Sequence, residues 1–230
     1  MANNNKGQYF FSNQTYICFL TACNSAIGLA KIPLYSSLYS RKDYNQHQLM
    51  TLLLLKEFIG QGYRELIKFV EISTIIQEIL ELNDVPHYST LCKFASRVDS
   101  KVLNRIFKKT CNLMSIITDH VSVAAIDSTG FVTDSASYYY SQRTEKLRKD
   151  YLKVTISVNT EDHSILAMKT TSSRCHDSQV AIQVLRASHR TKSAEVYVMD
   201  KAYDSEAIHY LGSGHKVCHI FRTDTLALYT

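Results

Sequence analysis

A chain of 230 residues can hold one large domain or two smaller ones, and with 45% hydrophobic residues it can bury a core. The formal net charge of +5 is a mild excess, compatible with a polyanionic partner without demanding one. The cysteines Cys18, Cys23, Cys92, Cys111, Cys175 and Cys218 form no C-x-x-C pair and no zinc-type Cys/His cluster, which argues against a metal ribbon and fits reduced thiols used as small hydrophobes.

Residues 1–15 are polar and Asn-rich. The apolar stretch over residues 16–30 is shorter than the roughly 20 residues a membrane span needs, and reads as a helix or a loose arm. Residues 1–44 together are read as an N-terminal arm. A helical pattern begins at Asn45, with Leu49, Leu52, Leu53, Phe58 and Ile59 apolar and Gly60 and Gly62 ending it. A second helix over residues 64–71 carries Leu66, Ile67 and Val70. Ser73 or Thr74 caps a third, and Pro86 follows as a breaker. Ser89 is the expected N-cap of the next helix. Asp99 or Ser100 restarts a longer one to about residue 118.

Short helices joined by tight turns make residues 45–118 an all-α region of helix-turn-helix character. Within it Lys93, Arg97, Lys101, Arg105 and Lys109 recur every four residues. On a nearly continuous helix they form a basic stripe able to track phosphates; the plainer reading is a solvated face.

From residue 119 the period changes. A run of β-branched and small apolar residues over 121–126 ends in Asp127, followed by the polar Ser128-Thr129-Gly130, and a strand is expected over 122–131. Leu152, Val154, Ile156 and Val158 alternate, predicting a half-buried strand over 151–159. Residues 164–171 make its hairpin partner. Asp177 and Ser178 cap a helix to about residue 188. The apolar residues 195–199 lead to Asp200 on a strand in the buried middle of a sheet. A helix over 205–211 and a strand over 216–221 complete the order β-β-β-α-β-α-β. Two buried strands that each end in an aspartate can build a divalent-metal site, because Mg²⁺ takes a few carboxylate oxygens and keeps waters for the rest of its shell. Asp127 read alone is a turn former; paired with Asp200 it is a ligand.

The order of elements, with an acid at the end of the first and fourth strands, resembles the ribonuclease-H-like fold of DDE transposases. Ala125-Ile-Asp127-Ser-Thr-Gly130 is similar to the first-aspartate motif of insertion-sequence transposases in the group that includes families four and five. Met199-Asp200-Lys-Ala-Tyr-Asp204-Ser205 resembles their second-aspartate motif, and Cys175-His176-Asp177-Ser178 their His-Asp-Ser element. The basic run from Lys146 to Lys153 and the segment Pro86-His-Tyr-Ser-Thr-Leu91 also match in place. The likeness spans about residues 45–225. Family members carry a third acid, a glutamate, on a helix after the fifth strand; no glutamate follows Glu206 here, so the catalytic domain, residues 119–230, reads as truncated.

The resemblance implies an incomplete ribonuclease-H-like mixed α/β sheet behind a helical DNA-binding region. It implies that Asp127 and Asp200 are catalytic and, in a complete enzyme, hold two Mg²⁺ or Mn²⁺ ions for phosphodiester cleavage and strand transfer. It further implies that Arg143, Lys146, Arg148, Lys149 and Lys201 join Lys93, Arg97, Lys101 and Arg105 against the DNA backbone. His176 and Tyr203 support the site, and Asp204 caps the helix that follows. The expected partner is double-stranded DNA, the inverted-repeat ends of the element, bound by a homo-oligomer without a membrane in the cytoplasm (at the nucleoid) of a bacterium or archaeon. With two acids of three, little strand transfer is expected. The alternative is a DNA-binding-only remnant that represses or poisons a full transposase, and a third reading is an unrelated metal-dependent nuclease.

Overall fold

The computed structural model describes residues 13–39, 41–118, 120–132, 151–171, 177–200, 203, 205, 208, 216–220 and 226–228. The chain divides into two units, Met1–Thr110 and Cys111–Thr230, with the division inside a helix.

The first unit is helical: α1 Asn13–Leu29, α2 Gln46–Ile59, α3 Tyr63–Glu71, α4 Thr74–Ile79, α5 Tyr88–Ala95 and the start of α6, Ser100–Ile117. Leu20 of α1, Leu52 and Leu55 of α2, Leu66 and Val70 of α3 and Leu91 of α5 are fully buried in one cluster. The stretch over 16–30 therefore belongs to a helix whose Leu20 is a core residue, the first of the two readings open in the sequence. The helix expected from Asn45 starts there, with Asn45 as its N-cap. Its side chain accepts from the Gln48 N–H at 2.8 Å while Gln48 Oε1 accepts from the Asn45 N–H at 2.9 Å, a reciprocal capping box. Gln48 Nε2 also donates to the Leu80 and Glu81 carbonyls, each at 2.9 Å, so one side chain serves both the start of α2 and the chain end of α4. Asn45→Ala is expected to lower stability by about 1 kcal/mol, read as a shift in the urea midpoint at constant m-value. Gly60 ends α2 at φ 70, a left-handed position that suits glycine.

Two expectations for this unit are corrected. The N-cap of α5 is His87, whose ring nitrogen accepts from the Ser89 N–H at 3.4 Å; Ser89 lies inside the helix. The helical path is also broken between Ala95 and Ser100, where Asp99 Oδ1 takes the Lys101 N–H at 2.8 Å and starts α6 afresh. Lys93 thus lies in the last turn of α5, Arg97 in the break that follows, and Lys101 and Arg105 on α6, so the four-residue spacing does not draw one stripe along one helix.

The second unit is a mixed sheet of order β3-β2-β1-β4-β5-β6. The strands are β1 Val123–Val132, β2 Tyr151–Asn159, β3 Ile165–Thr171, β4 Val196–Asp200, β5 Lys216–Ile220 and β6 Leu226–Leu228. The first three run antiparallel in sequence, and β4 and β5 continue the sheet parallel to β1. The sequence reading anticipates these strands except β6, which pairs antiparallel with β5; the helix expected over 205–211 lies largely outside the described residues. The strand β1 runs on through Ser128-Thr129-Gly130, so these residues are ladder and not turn. Helix α7, Asp177–Thr191, reaches three residues past its expected end and packs Val180, Ala181, Val184 and Leu185 on Ala124, Ile126, Leu166, Tyr197 and Met199.

The inner face of β2 is polar. Thr155, Ser157 and Asn159 are at most 1% exposed, whereas Leu152, Val154, Ile156 and Val158 are half-buried on the opposite face. Each inner polar group has a partner: Thr155 with Ser128, Ser157 with Ser188 at 3.1 Å, and Asn159 with the Glu161 N–H at 3.2 Å. Cys18, Cys23, Cys92 and Cys111 are free, and burial pushes the Cys23 and Cys111 thiols up to about 11, as expected of inert thiols. Among the described residues no helix is long and apolar enough to cross a membrane.

Candidate metal and catalytic site

Strands β1 and β4 lie side by side and parallel, with Ile126 opposite Met199. Asp127 and Asp200 are the next residue on each strand. Side chains alternate across a strand, so both carboxylates leave the face opposite Ile126 and Met199. Those two apolar side chains are 2% and 1% exposed under α7, while both aspartates are exposed. Neighbouring strands stand about 4.8 Å apart, which brings the two carboxylates within reach of a shared cation. Parallel pairing is the reason: buried apolar runs of matching length, ending one residue before each acid, set the register that aligns them.

Below this pair sits Tyr203, 2% exposed. Its hydroxyl donates to Ser128 Oγ at 2.7 Å, and Ser128 Oγ lies 2.7 Å from Thr155 Oγ1 on the adjacent strand. The Ser128 N–H in turn donates to Asp127 Oδ1 at 2.7 Å. Tyr203 thus ties the segment after Asp200 to the residue after Asp127. Burial pushes its phenol pKa up, the charges of Asp127 and Asp200 push the same way, and the Ser128 hydrogen bond opposes them. A phenol that both aspartates influence marks their common neighbourhood.

This shift has a pH consequence. The native state holds the Tyr203 proton more tightly than the unfolded chain, so its contribution is complete below the ordinary phenol value of about 10 and is lost as pH rises through the raised native value. Tyr203→Phe is expected to cost about 1 kcal/mol at neutral pH and to flatten that alkaline decline, measured by urea unfolding from pH 8 to 11.

Ser128 and Thr155 adjoin the candidate site, a placement that the motif reading missed. Thr155 occupies the inward phase of the alternation, and a small hydroxyl at a core position was the available clue. Of the other residues singled out in the sequence, Lys93, Arg97, Lys101 and Arg105 are exposed in the helical region. Arg143, Lys146, Arg148, Lys149, His176, Lys201 and Asp204 lie outside the described residues.

The strand order, with three antiparallel strands followed by two parallel ones, an acid in the middle of β1 and another at the end of β4, defines a ribonuclease-H-like fold. Residues 121–227 match the family model of the transposase DDE domain. Among solved structures, a Mos1 transposase paired-end complex with the left transposon end is similar over 91% of this chain and 67% of that chain, at 13% identity and a TM-score of 0.28, a likeness too distant to support any statement about this chain. No curated protein matches the sequence.

Proposed function

We propose that the second unit serves metal-dependent phosphodiester chemistry on DNA, with Asp127 and Asp200 supplying two of the acids that a complete enzyme uses for the cleavage and strand transfer of transposition. The observation that carries the reading is the register of β1 and β4, which aligns two exposed carboxylates on one face. The donor set fits Mg²⁺ or Mn²⁺: carboxylate oxygens are hard ligands, and an exposed pair leaves room for the waters these ions keep. Divalent ions bound there would supply a nucleophilic oxygen and neutralise charge on the phosphate.

The chain's own residues do the placing. Asp127 and Asp200 act as negative ligands and not as bases. Ser128 holds one oxygen of Asp127, and Tyr203, anchored on Ser128, fixes the segment that leaves Asp200. Exposed Lys101 and Arg105 on α6 are suited to the DNA backbone, as are the cations at 143, 146, 148, 149 and 201. The partner in this reading is the double-stranded end of a mobile element, held by a homo-oligomer.

The test is cleavage of labelled element-end DNA with Mg²⁺ or Mn²⁺ beside Asp127→Ala and Asp200→Ala. Cutting that both substitutions abolish is the expected result. DNA binding without any cutting would overturn the catalytic reading and leave a DNA-binding module.

A further inference from the structure

The first unit contains a cleft of about 560 Å³ between residues 34–50 and 90–102. Its floor is apolar, with Leu49, Met50 and Phe94, and Leu34 beside it is 51% exposed. Three cations, Arg41, Lys93 and Arg97, line the same cleft, and none forms an ion pair with another described residue. Two carboxylates are present as well. Asp99 is engaged at the start of α6, accepting the Lys101 N–H at 2.8 Å, which leaves Asp43 against the three cations. A phosphate backbone would gain nothing from the apolar floor and would meet Asp43. An acidic strip with apolar side chains fits both features.

The chain itself carries such a strip. Ile72 is 81% exposed and Ile75 42%, at the junction of α3 and α4. Glu71 and Glu78, also exposed, flank them, and no Lys, Arg or His occurs from residue 71 to residue 84. Neither glutamate forms an ion pair with another described residue. Exposed isoleucines bracketed by acids at one helix junction, and an apolar cleft rimmed by cations elsewhere in the same unit, are complementary in polarity and in charge.

We propose that the cleft receives the Glu71–Glu78 strip of a second copy of this chain. The contact is heterologous, cleft to strip. It closes as a pair if two copies engage reciprocally and extends if they do not. It requires neither DNA nor metal, so it stands or falls apart from the catalytic reading.

The experiment is sedimentation velocity of the full chain without DNA, on wild type, Arg97→Glu, Glu78→Arg and the double exchange, with circular dichroism to establish that each is folded. Wild type is expected to self-associate at tens of micromolar. Each single exchange should weaken association by about tenfold or more, since like charges then face each other across the contact. The double exchange should restore it. A mixture of the two single variants should associate more tightly than either alone, because each cleft then meets a strip of opposite charge on the other variant. A monomeric wild type at 100 micromolar, single variants that associate as wild type does, or a double exchange that fails to restore association would each overturn the proposal. So would loss of DNA binding in Arg97→Glu with self-association unchanged, which would assign the cleft to nucleic acid.

Discussion

Asp127→Asn and Asp200→Asn are each expected to weaken Mn²⁺ binding by about 100-fold, and the double substitution to remove it. Asparagine keeps the shape of the side chain and deletes its charge. Losing a residue that merely supports a metal ligand costs about 10–100-fold in affinity, so losing a ligand belongs at or beyond the upper end of that range. A factor of 100 is about 2.8 kcal/mol. Both residues are exposed, on the face away from the α7 core, so neither change should disturb packing. Electron paramagnetic resonance of unbound Mn²⁺ reads the effect directly. Two single variants that bind as tightly as wild type would show that the aligned carboxylates do not share a cation. Tyr203→Phe serves as the control: it removes a tether, keeps both carboxylates, and should shift the affinity by only a few-fold.

Tyr197→Ala is expected to destabilise the second unit by about 3–5 kcal/mol, a large share of the roughly 5–15 kcal/mol that holds a typical domain together. Tyr197 is fully buried in the middle of β4. Its hydroxyl accepts the Ala194 N–H at 3.1 Å and lies 3.5 Å from Ser188 Oγ, and its ring stands 5.0 Å from that of His189 on α7. The alanine leaves a cavity against α7 and strips the Ala194 N–H of its partner. Tyr197→Phe separates these effects: it keeps the ring and should cost only about 1–3 kcal/mol, the penalty for a buried polar group left unpaired. Urea unfolding checks both. Tyr197 lies three residues before Asp200 on one short strand, so Tyr197→Ala should also weaken Mn²⁺ binding, whereas Asp200→Asn should leave unfolding nearly unchanged.

The candidate site was legible because each of its two acids directly follows an unmistakable apolar run. Residues 121–126 and 196–199 are buried-strand sequences, and parallel pairing of such runs leaves each following aspartate in the same place. The alternation in β2 was legible as a strand but misleading as to its inner face. Val154, Ile156 and Val158 look like core residues, yet Thr155, Ser157 and Asn159 face α7. Hydrophobicity alone cannot reveal that, because the hydroxyls are satisfied by Ser128 and Ser188, distant in sequence. The same limit applies to the basic residues 93–105. A four-residue spacing implies one face only if the helix is continuous, and Asp99 restarts it. Capping at Asn45 was readable because the box is local, while the second role of Gln48 at Leu80 and Glu81 needs tertiary structure.

The most direct test of the claim that Asp127 and Asp200 hold one divalent site is to load the protein with Fe²⁺, add ascorbate and peroxide, and map where hydroxyl radicals cut the chain. Backbone scission beside residues 127 and 200, suppressed by excess Mg²⁺ and lost in Asp127→Asn and Asp200→Asn, is the predicted result. Scission confined to other positions, or a pattern unchanged by either substitution, would contradict it.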